Sequence, residues 1–278
     1  MEAAAAVSPV ADWLDLPPEL GAASLALSAS AVETYERCPL QFKIARYWRL
    51  PDEPSAATQF GASVHRVLKT YFDGALAGRP LTPQQVEEEF VKDFRGAPVE
   101  DALQRELYEQ QGVRQLREFL QAQQAAPPAE VLATEQWFEV GIGGATVRGR
   151  VDRLDRCGEG GAAVVDYKTG TPRTQEDADE SLQLSIYAIA AQRQWKLEPR
   201  RLVFYNLETN QAIESQRSQR ELEEAERQVR AAAENIAQGE FDAKPGYHCR
   251  WCPYRSLCPE TEERLFTIQR ALEPTGAN

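Results

Sequence analysis

Apolar positions recur with a helical period through the first half of the chain and alternate through much of the second. Ser30 with Glu33 forms a capping-box signature, so a helix starts near Ala31. Cys38-Pro39 interrupts it, and Pro39 opens a second helical segment running to about Trp48. Phe60, Val64, Val67, Leu68 and Tyr71 form one stripe and predict a helix over about 58–76. Thr82-Pro83 with Gln85 starts another helix, and residues 101–123 predict a longer one. Pro127-Pro128 ends the helical half.

Residues 133–142 then alternate as a strand and run into Gly143-Gly144. Residues 145–156 alternate weakly, and 162–168 are a short apolar run ending in charge. Gly158-Glu159-Gly160-Gly161 lies between them and is turn chemistry, so the two runs predict a β-hairpin. Residues 172–180 are polar and acidic and predict a mobile loop, followed by a helix over about 179–194 and a strand over 200–207. Ser218 with Glu221 caps a helix carrying Leu222, Ala225, Val229 and Ile236, and Gly239 stops it.

Composition narrows the picture. At 278 residues with 42% hydrophobic content, the chain suits one large domain or two small ones. Residues 1–27 are Ala- and Pro-rich, with an acidic Asp12-Trp13-Leu14-Asp15 patch, and are expected to be a tail or linker. A formal charge of -12 argues against strong unaided binding to nucleic acid. Basic residues nevertheless cluster at 37–49 and at Arg148, Arg150, Arg153 and Arg156, while acidic runs lie at 87–89, 176–180, 221–226 and 260–263. This pattern predicts a basic channel on an acidic body. No apolar run is long enough to span a membrane, and residues 1–20 lack the marks of a secretory signal, so the expected location is cytoplasmic. There is no internal repeat and no P-loop.

The hairpin carries the candidate chemistry. It reads Gly149-Arg150-Val151-Asp152-Arg153, a turn, then Val164-Val165-Asp166-Tyr167-Lys168-Thr169-Gly170. Side chains two apart on a strand share a face, so Asp166 and Lys168 project together and Tyr167 faces away. Asp152, on the neighbouring strand, can reach the same spot. The ordinary reading of such a trio is a salt bridge. Two acids at the end of an apolar strand instead favour a divalent cation, which suppresses their mutual repulsion. A lysine beside them can orient a water or steady charge on a phosphate.

Other positions admit two readings. His65 flanks an apolar stripe, where a histidine is ordinarily structural but can be a ligand. Arg37, Lys43, Arg46 and Arg49 with Phe42, Tyr47 and Trp48 form either a solvated basic face or a surface that tracks and stacks a nucleic-acid strand. Gln183 and Tyr187, four apart, share a helix face. Cys249, Cys252 and Cys258 form C-x2-C-x5-C, a spacing that fits zinc or an iron–sulfur cluster. A fourth ligand could be Cys38, Cys157 or His248. Were it Cys38, closing so long a loop would stabilise the fold by roughly 5 kcal/mol on the disulfide entropy formula.

Taken in order, these motifs resemble the RecB-like branch of the PD-(D/E)XK nucleases, and within it the members closed by an iron–sulfur staple, such as AddB-type helicase–nuclease subunits and CRISPR-associated adaptation nucleases. The resemblance covers about residues 28–260. It rests on Ser30 and Tyr35 before Cys38-Pro39, Gly61 to His65, the two hairpin motifs, Gln183 to Tyr187, and the cysteine triplet. The usual Pro-Asp is Val151-Asp152 here, and the second acid is Asp166.

The resemblance implies an α/β, restriction-endonuclease-like fold: a central mixed sheet flanked by helices, a helical N-terminal portion and a cysteine-cluster C-terminus. The nuclease domain would span 28–270, with a C-terminal tail at 271–278. His65, Asp152, Asp166 and the carbonyl of Tyr167 would bind Mg²⁺ or Mn²⁺. Lys168 would position or activate the attacking water, and Gln183 and Tyr187 would support the site or contact DNA. Cys38, Cys249, Cys252 and Cys258 would hold a [4Fe–4S] cluster, with structural Zn²⁺ as the alternative. Glu135, on the preceding strand, would be at most a supporting partner. The implied activity is hydrolysis of DNA phosphodiester bonds, on single strands or ends, exonuclease action being favoured over endonuclease. The implied setting is recombination or repair with a helicase, fused or associated. The rival readings are a catalytically silent strand-handling module and a zinc-stapled interaction domain.

Overall fold

A computed structural model describes residues 26–50, 55–125 and 130–260 of the chain. The acidic patch at 12–15, the Pro127-Pro128 break, the acids at 261–263 and the tail at 271–278 lie outside the described residues. The chain divides into two compact units: 1–52 with 143–145 and 228–278, and 53–142 with 146–227.

In the first unit, Ala26 and Leu27 form a short strand, β1 (Ala26–Leu27), and α1 (Ala29–Arg37) follows. The N-cap of α1 is Ser28, which accepts from the Ala31 amide at 3.2 Å. The helix therefore starts two residues before the position that Ser30 and Glu33 indicate. Cys38 ends α1 in extended geometry (φ −159) and also opens α2 (Pro39–Phe42). Proline fits here because its fixed φ and missing N–H cost nothing at a first helical position. The expected single helix to Trp48 instead becomes a wider π turn over Lys43–Tyr47. Tyr35, Phe42, Tyr47 and Phe241 pack ring against ring, and the Tyr35 hydroxyl donates to the Glu240 carbonyl at 2.7 Å. Lys43 is buried over the Trp48 and Phe241 rings, so it does not join an open basic face.

The second unit holds α3 (Ala56–Leu76), α4 (Pro83–Arg95) and α5 (Ala102–Ala125), then β2 (Val131–Ile142), β3 (Ala145–Arg156) and β4 (Gly161–Lys168). The capping box at Thr82 and Gln85 is formed as the sequence indicates. The expected loop at 172–180 contains a short helix, α6 (Gln175–Asp179), because Thr174 and Asp177 cap each other. Helix α7 (Leu182–Ala190) then passes into a π turn over Ala191–Trp195. Strands β5 (Glu198–Asn206) and β6 (Gln211–Ser215) follow. Helix α8 (Gln219–Ala237) begins at the reciprocal Ser218–Glu221 cap, and Gly239 takes the left-handed φ of +79 that ends it.

The sheet is mixed. β2 pairs with β3, β3 runs antiparallel to β4, β4 parallel to β5, and β5 antiparallel to β6. The β4–α7–β5 crossover supplies the parallel pair. Odd-numbered residues Val165 and Tyr167 of β4, with Val203 and Tyr205 of β5, enter a core built with Phe60, Phe72, Phe90, Phe94 and Phe119 of α3–α5. The architecture is thus α/β with a central mixed sheet flanked by helices, and cysteines near the C-terminus. Among the described residues no helix is long and apolar enough to cross a membrane.

Candidate active site

Ala162 to Val165 of β4 are buried throughout, as expected for a strand with neighbours on both sides and helices on its faces. Alternation that sends Tyr167 into the α3–α5 core sends Asp166 and Lys168 to the opposite face, against Gln183 of α7. Asp166 Oδ2 lies 2.7 Å from Lys168 Nζ. Asp166 Oδ1 accepts from Gln183 Nε2 at 2.8 Å, while Gln183 Oε1 accepts from Lys168 Nζ at 2.9 Å. One amide therefore holds both halves of the pair. The same Nε2 donates to the Tyr187 phenol oxygen at 2.8 Å, and that hydroxyl donates to the Arg150 carbonyl at 3.0 Å. The shared helix face of Gln183 and Tyr187 is what makes this chain of bonds possible.

The β3–β4 register sets Arg153 opposite Val165, and carried one step further it sets Asp152 opposite Asp166. Asp152 Oδ2 accepts from the Tyr167 amide at 2.8 Å, and its Oδ1 is 3.3 Å from His65 Nδ1. Burial raises the Asp166 carboxyl above the usual range, the Asp152 charge adds to this, and Lys168 and His65 oppose it.

His65 reaches the strand end from α3, with Nε2 3.2 Å from the Tyr167 carbonyl oxygen. Gly61, one turn earlier, permits the approach: a Cβ there would sit 3.0 Å from Thr169 Oγ1. Both imidazole nitrogens face acceptors. Burial disfavours the charged ring, but the hydrogen bond and charge of Asp152, with Asp166 and Glu135, outweigh it and hold the group at about 9.

Glu135 completes the cluster. Its Oε1 lies 3.9 Å from His65 Nδ1, and Arg150 pairs with its Oε2. In the alternation of β2 it shares parity with the exposed Trp137 and Glu139, which groups it with the solvent side. A left-handed backbone, φ +47, breaks that alternation, and Glu135 is buried. Sequence reasoning gave it a lesser role because no residue pattern announces the kink.

Donor atoms of His65, Glu135 and Asp152 all lie within 4.8 Å of one another. Among the described residues, the buried Glu135 Oε2 is met by Arg150 and the buried Asp166 Oδ2 by Lys168. Carboxylate oxygens, a carbonyl and an imidazole suit Mg²⁺ or Mn²⁺, so the residues fit such an ion. Asp166 stands beside this trio with its oxygens turned to Lys168 and Gln183.

The remaining basic residues of the hairpin are paired. Arg148 meets Glu139, and Arg156 meets Glu130. Arg153 is buried, bonded to Asp155 and the Tyr167 hydroxyl and stacked on Phe72. It braces the core rather than lining a channel. Gly149 abuts the Phe138 ring, where a Cβ would clash.

In the first unit, Cys38, Cys249, Cys252 and Cys258 line one cavity, with Leu40, Ile44 and His248. Burial, followed by the neighbouring cysteines, pushes the Cys252 and Cys258 thiols up. His248 Nε2 is buried there without a hydrogen bond. Cys157 belongs to the second unit, and its amide donates to the Gly161 carbonyl in the hairpin turn. Of the three candidates for a fourth ligand, Cys38 and His248 share the cavity of the triplet.

The fold and this acidic, histidine-containing cluster define an α/β protein able to hold a divalent ion at the ends of its central strands. The chain belongs to the PD-(D/E)XK nuclease superfamily, whose sequence profile matches residues 26–259. It is similar to the Gene 69 protein of Mycobacterium phage D29, at 26% identity over 62% of this chain and 70% of that one. It is also similar to the Gene 69 protein of Mycobacterium phage L5, at 24% identity over 62% and 72%. Among solved structures, a candidate exonuclease from Eubacterium rectale shares the fold, with a TM-score of 0.50 and 16% identity over 82% of this chain and 87% of that one.

Proposed function

We propose that this nuclease-family chain is a Mg²⁺- or Mn²⁺-dependent deoxyribonuclease that hydrolyses phosphodiester bonds in single-stranded DNA or at DNA ends, with exonuclease action favoured. The observation that carries this reading is the convergence of His65, Glu135 and Asp152 beside the Asp166–Lys168 pair. His65, Asp152, Asp166 and the Tyr167 carbonyl would hold the ion, joined by Glu135. When bound, the ion supplies positive charge to phosphate oxygens and acidifies a water.

The chain's own groups do the positioning. The Tyr167 amide fixes the Asp152 carboxylate. Gln183 bonds to both Lys168 and Asp166, so the ammonium is aimed before substrate arrives. From there Lys168 donates to the attacking water or to the phosphate oxygen on which charge grows. Tyr187 anchors Gln183 and ties α7 to β3.

The four cysteines of the first unit would hold a [4Fe–4S] cluster. Cysteine side chains from two segments far apart in sequence, gathered at one cavity, support this reading. Because the hairpin guanidinium groups are mostly committed to acids, free positive charge is scarce. This favours a helicase, fused or associated, that delivers the strand during recombination or repair.

The test is incubation of end-labelled single-stranded and duplex DNA with Mn²⁺ or Mg²⁺, beside an Asp166→Ala control. Metal-dependent cleavage lost in the control supports the reading. DNA binding without cleavage by the unaltered protein would replace it with the silent strand-handling module. Anaerobic purification yielding zinc and no iron would replace the cluster with a structural zinc.

A further inference from the structure

Trp137 is 64% exposed, although a tryptophan ordinarily gains most by burial. The backbone that carries it is held in place. Gln194 clamps its strand segment by donating Nε2 to the Trp137 carbonyl at 3.1 Å and accepting from the Glu139 amide at 2.8 Å. The Arg150 guanidinium lies over the indole, 5.5 Å from the ring centroid. Arg150 Nε is tied to Glu135. Among the described residues its terminal nitrogens meet no other acceptor. Glu135 in turn belongs to the metal-capable trio. One arginine therefore links an exposed aromatic surface to the ligand cluster, and Trp137 follows Glu135 by two residues on β2, roughly 7 Å of backbone rise.

We infer that Trp137, with Arg150 across its ring, is the base-stacking platform for the nucleotide adjoining the scissile phosphate. The inference rests on the nuclease reading and adds what the substrate must offer: an unpaired base. An open indole on a clamped strand takes any nucleobase by its π face. The guanidinium adds charge that a phosphodiester can meet and aligns the sugar-phosphate chain toward Glu135 and Asp152. Bases inside a duplex are already stacked and paired, so the platform selects single strands and frayed ends. A neutral protein surface would need neither the arginine nor its link to a buried ligand.

The experiment compares the full chain with Trp137→Ala and Trp137→Phe. Cleavage kinetics are measured on single-stranded oligonucleotides carrying one abasic site at successive positions, together with metal-free binding by fluorescence anisotropy and solution mass. Circular dichroism checks that each variant is folded, and Trp137→Phe keeps an aromatic face if Trp137→Ala is not. Expected is about a tenfold rise in KM for Trp137→Ala with a smaller change in kcat, and recovery of most of it in Trp137→Phe. One abasic position should weaken the unaltered protein and leave Trp137→Ala indifferent.

If the unaltered protein cleaves and the variants keep its KM and abasic profile, the platform is wrong and the nuclease reading stands. If it cleaves nothing, the nuclease reading fails, and anisotropy decides the platform: weaker oligonucleotide binding by Trp137→Ala supports it, and equal binding overturns it. A change of solution mass with unaltered DNA affinity makes the indole a protein contact and overturns the proposal.

Discussion

The amide of Tyr167 donates to Asp152 Oδ2 at 2.8 Å across the β3–β4 pair, so the backbone of one motif orients the carboxylate of the other. Asp152→Asn keeps an acceptor for that amide while removing the charge. The variant should remain folded by circular dichroism and lose Mn²⁺ affinity by about 100-fold, measured by calorimetry. Unchanged Mn²⁺ binding would remove Asp152 from the ligand set.

Lys168 is held by Asp166 and Gln183 and stacks over Phe204, 4.6 Å from its centroid. Lys168→Ala should lower kcat by about a thousandfold, on the scale of a lost charge-stabilising donor. Gln183→Ala should lower it less, because it disturbs aim and not charge. Single-turnover rates at saturating metal measure both, and an ordering of the two effects opposite to this one would refute the assigned division of labour.

Phe119 is buried and meets the Phe72, Tyr167 and Tyr205 rings edge-on. Phe119→Ala should cost about 3–5 kcal/mol, read from urea unfolding. Since Tyr167 supplies the carbonyl facing His65, the same variant should also weaken metal binding.

Glu208 accepts from Arg114 at 2.8 Å, Gln115 at 2.5 Å and Gln111 at 3.1 Å, fastening the β5–β6 turn to α5. The Arg114 hydrogen bond, helped by the two amides, holds its carboxyl below the usual 4.5. A depressed folded value means the contribution is complete above 4.5 and is lost as pH falls through that lower value. Glu208→Gln should therefore lower stability by about 1 kcal/mol at neutral pH, the pair being partly exposed, and flatten the acid limb of the stability curve. Thermal melts across the acid range test this. An acid limb as steep as that of the unaltered chain would disprove it.

Cys38→Ser should reduce bound metal per chain and lower the unfolding temperature, with roughly 5 kcal/mol as the upper scale of the loss. Elemental analysis paired with calorimetry is the check. Full metal content in the variant would hand the fourth position to His248, which shares the cavity.

Where local rules and packing agree, the sequence announces the structure. The glycine-rich turn and the period of two make the β3–β4 hairpin legible, and with it the shared face of Asp166 and Lys168. The spacing of the cysteine triplet likewise points to one site. Other features are overridden from elsewhere. Arg153 looks like a surface cation until Asp155 and Tyr167 are seen to bury it. Strand β6 is short and polar, and it exists because β5 offers it an edge. Helix α6 had a readable signal in Thr174 and Asp177, masked by the overall polarity of 172–180. Glu135 had none, since its place depends on a single backbone angle.

That angle has an evolutionary side. A side chain with a Cβ held at φ +47 carries about 1 kcal/mol or more of conformational strain, which glycine or asparagine would relieve. Selection for heat resistance alone would drift toward those residues and shed a carboxylate from the cluster. Glutamate at 135 thus places a carboxylate beside His65 and Asp152 at the cost of local backbone strain.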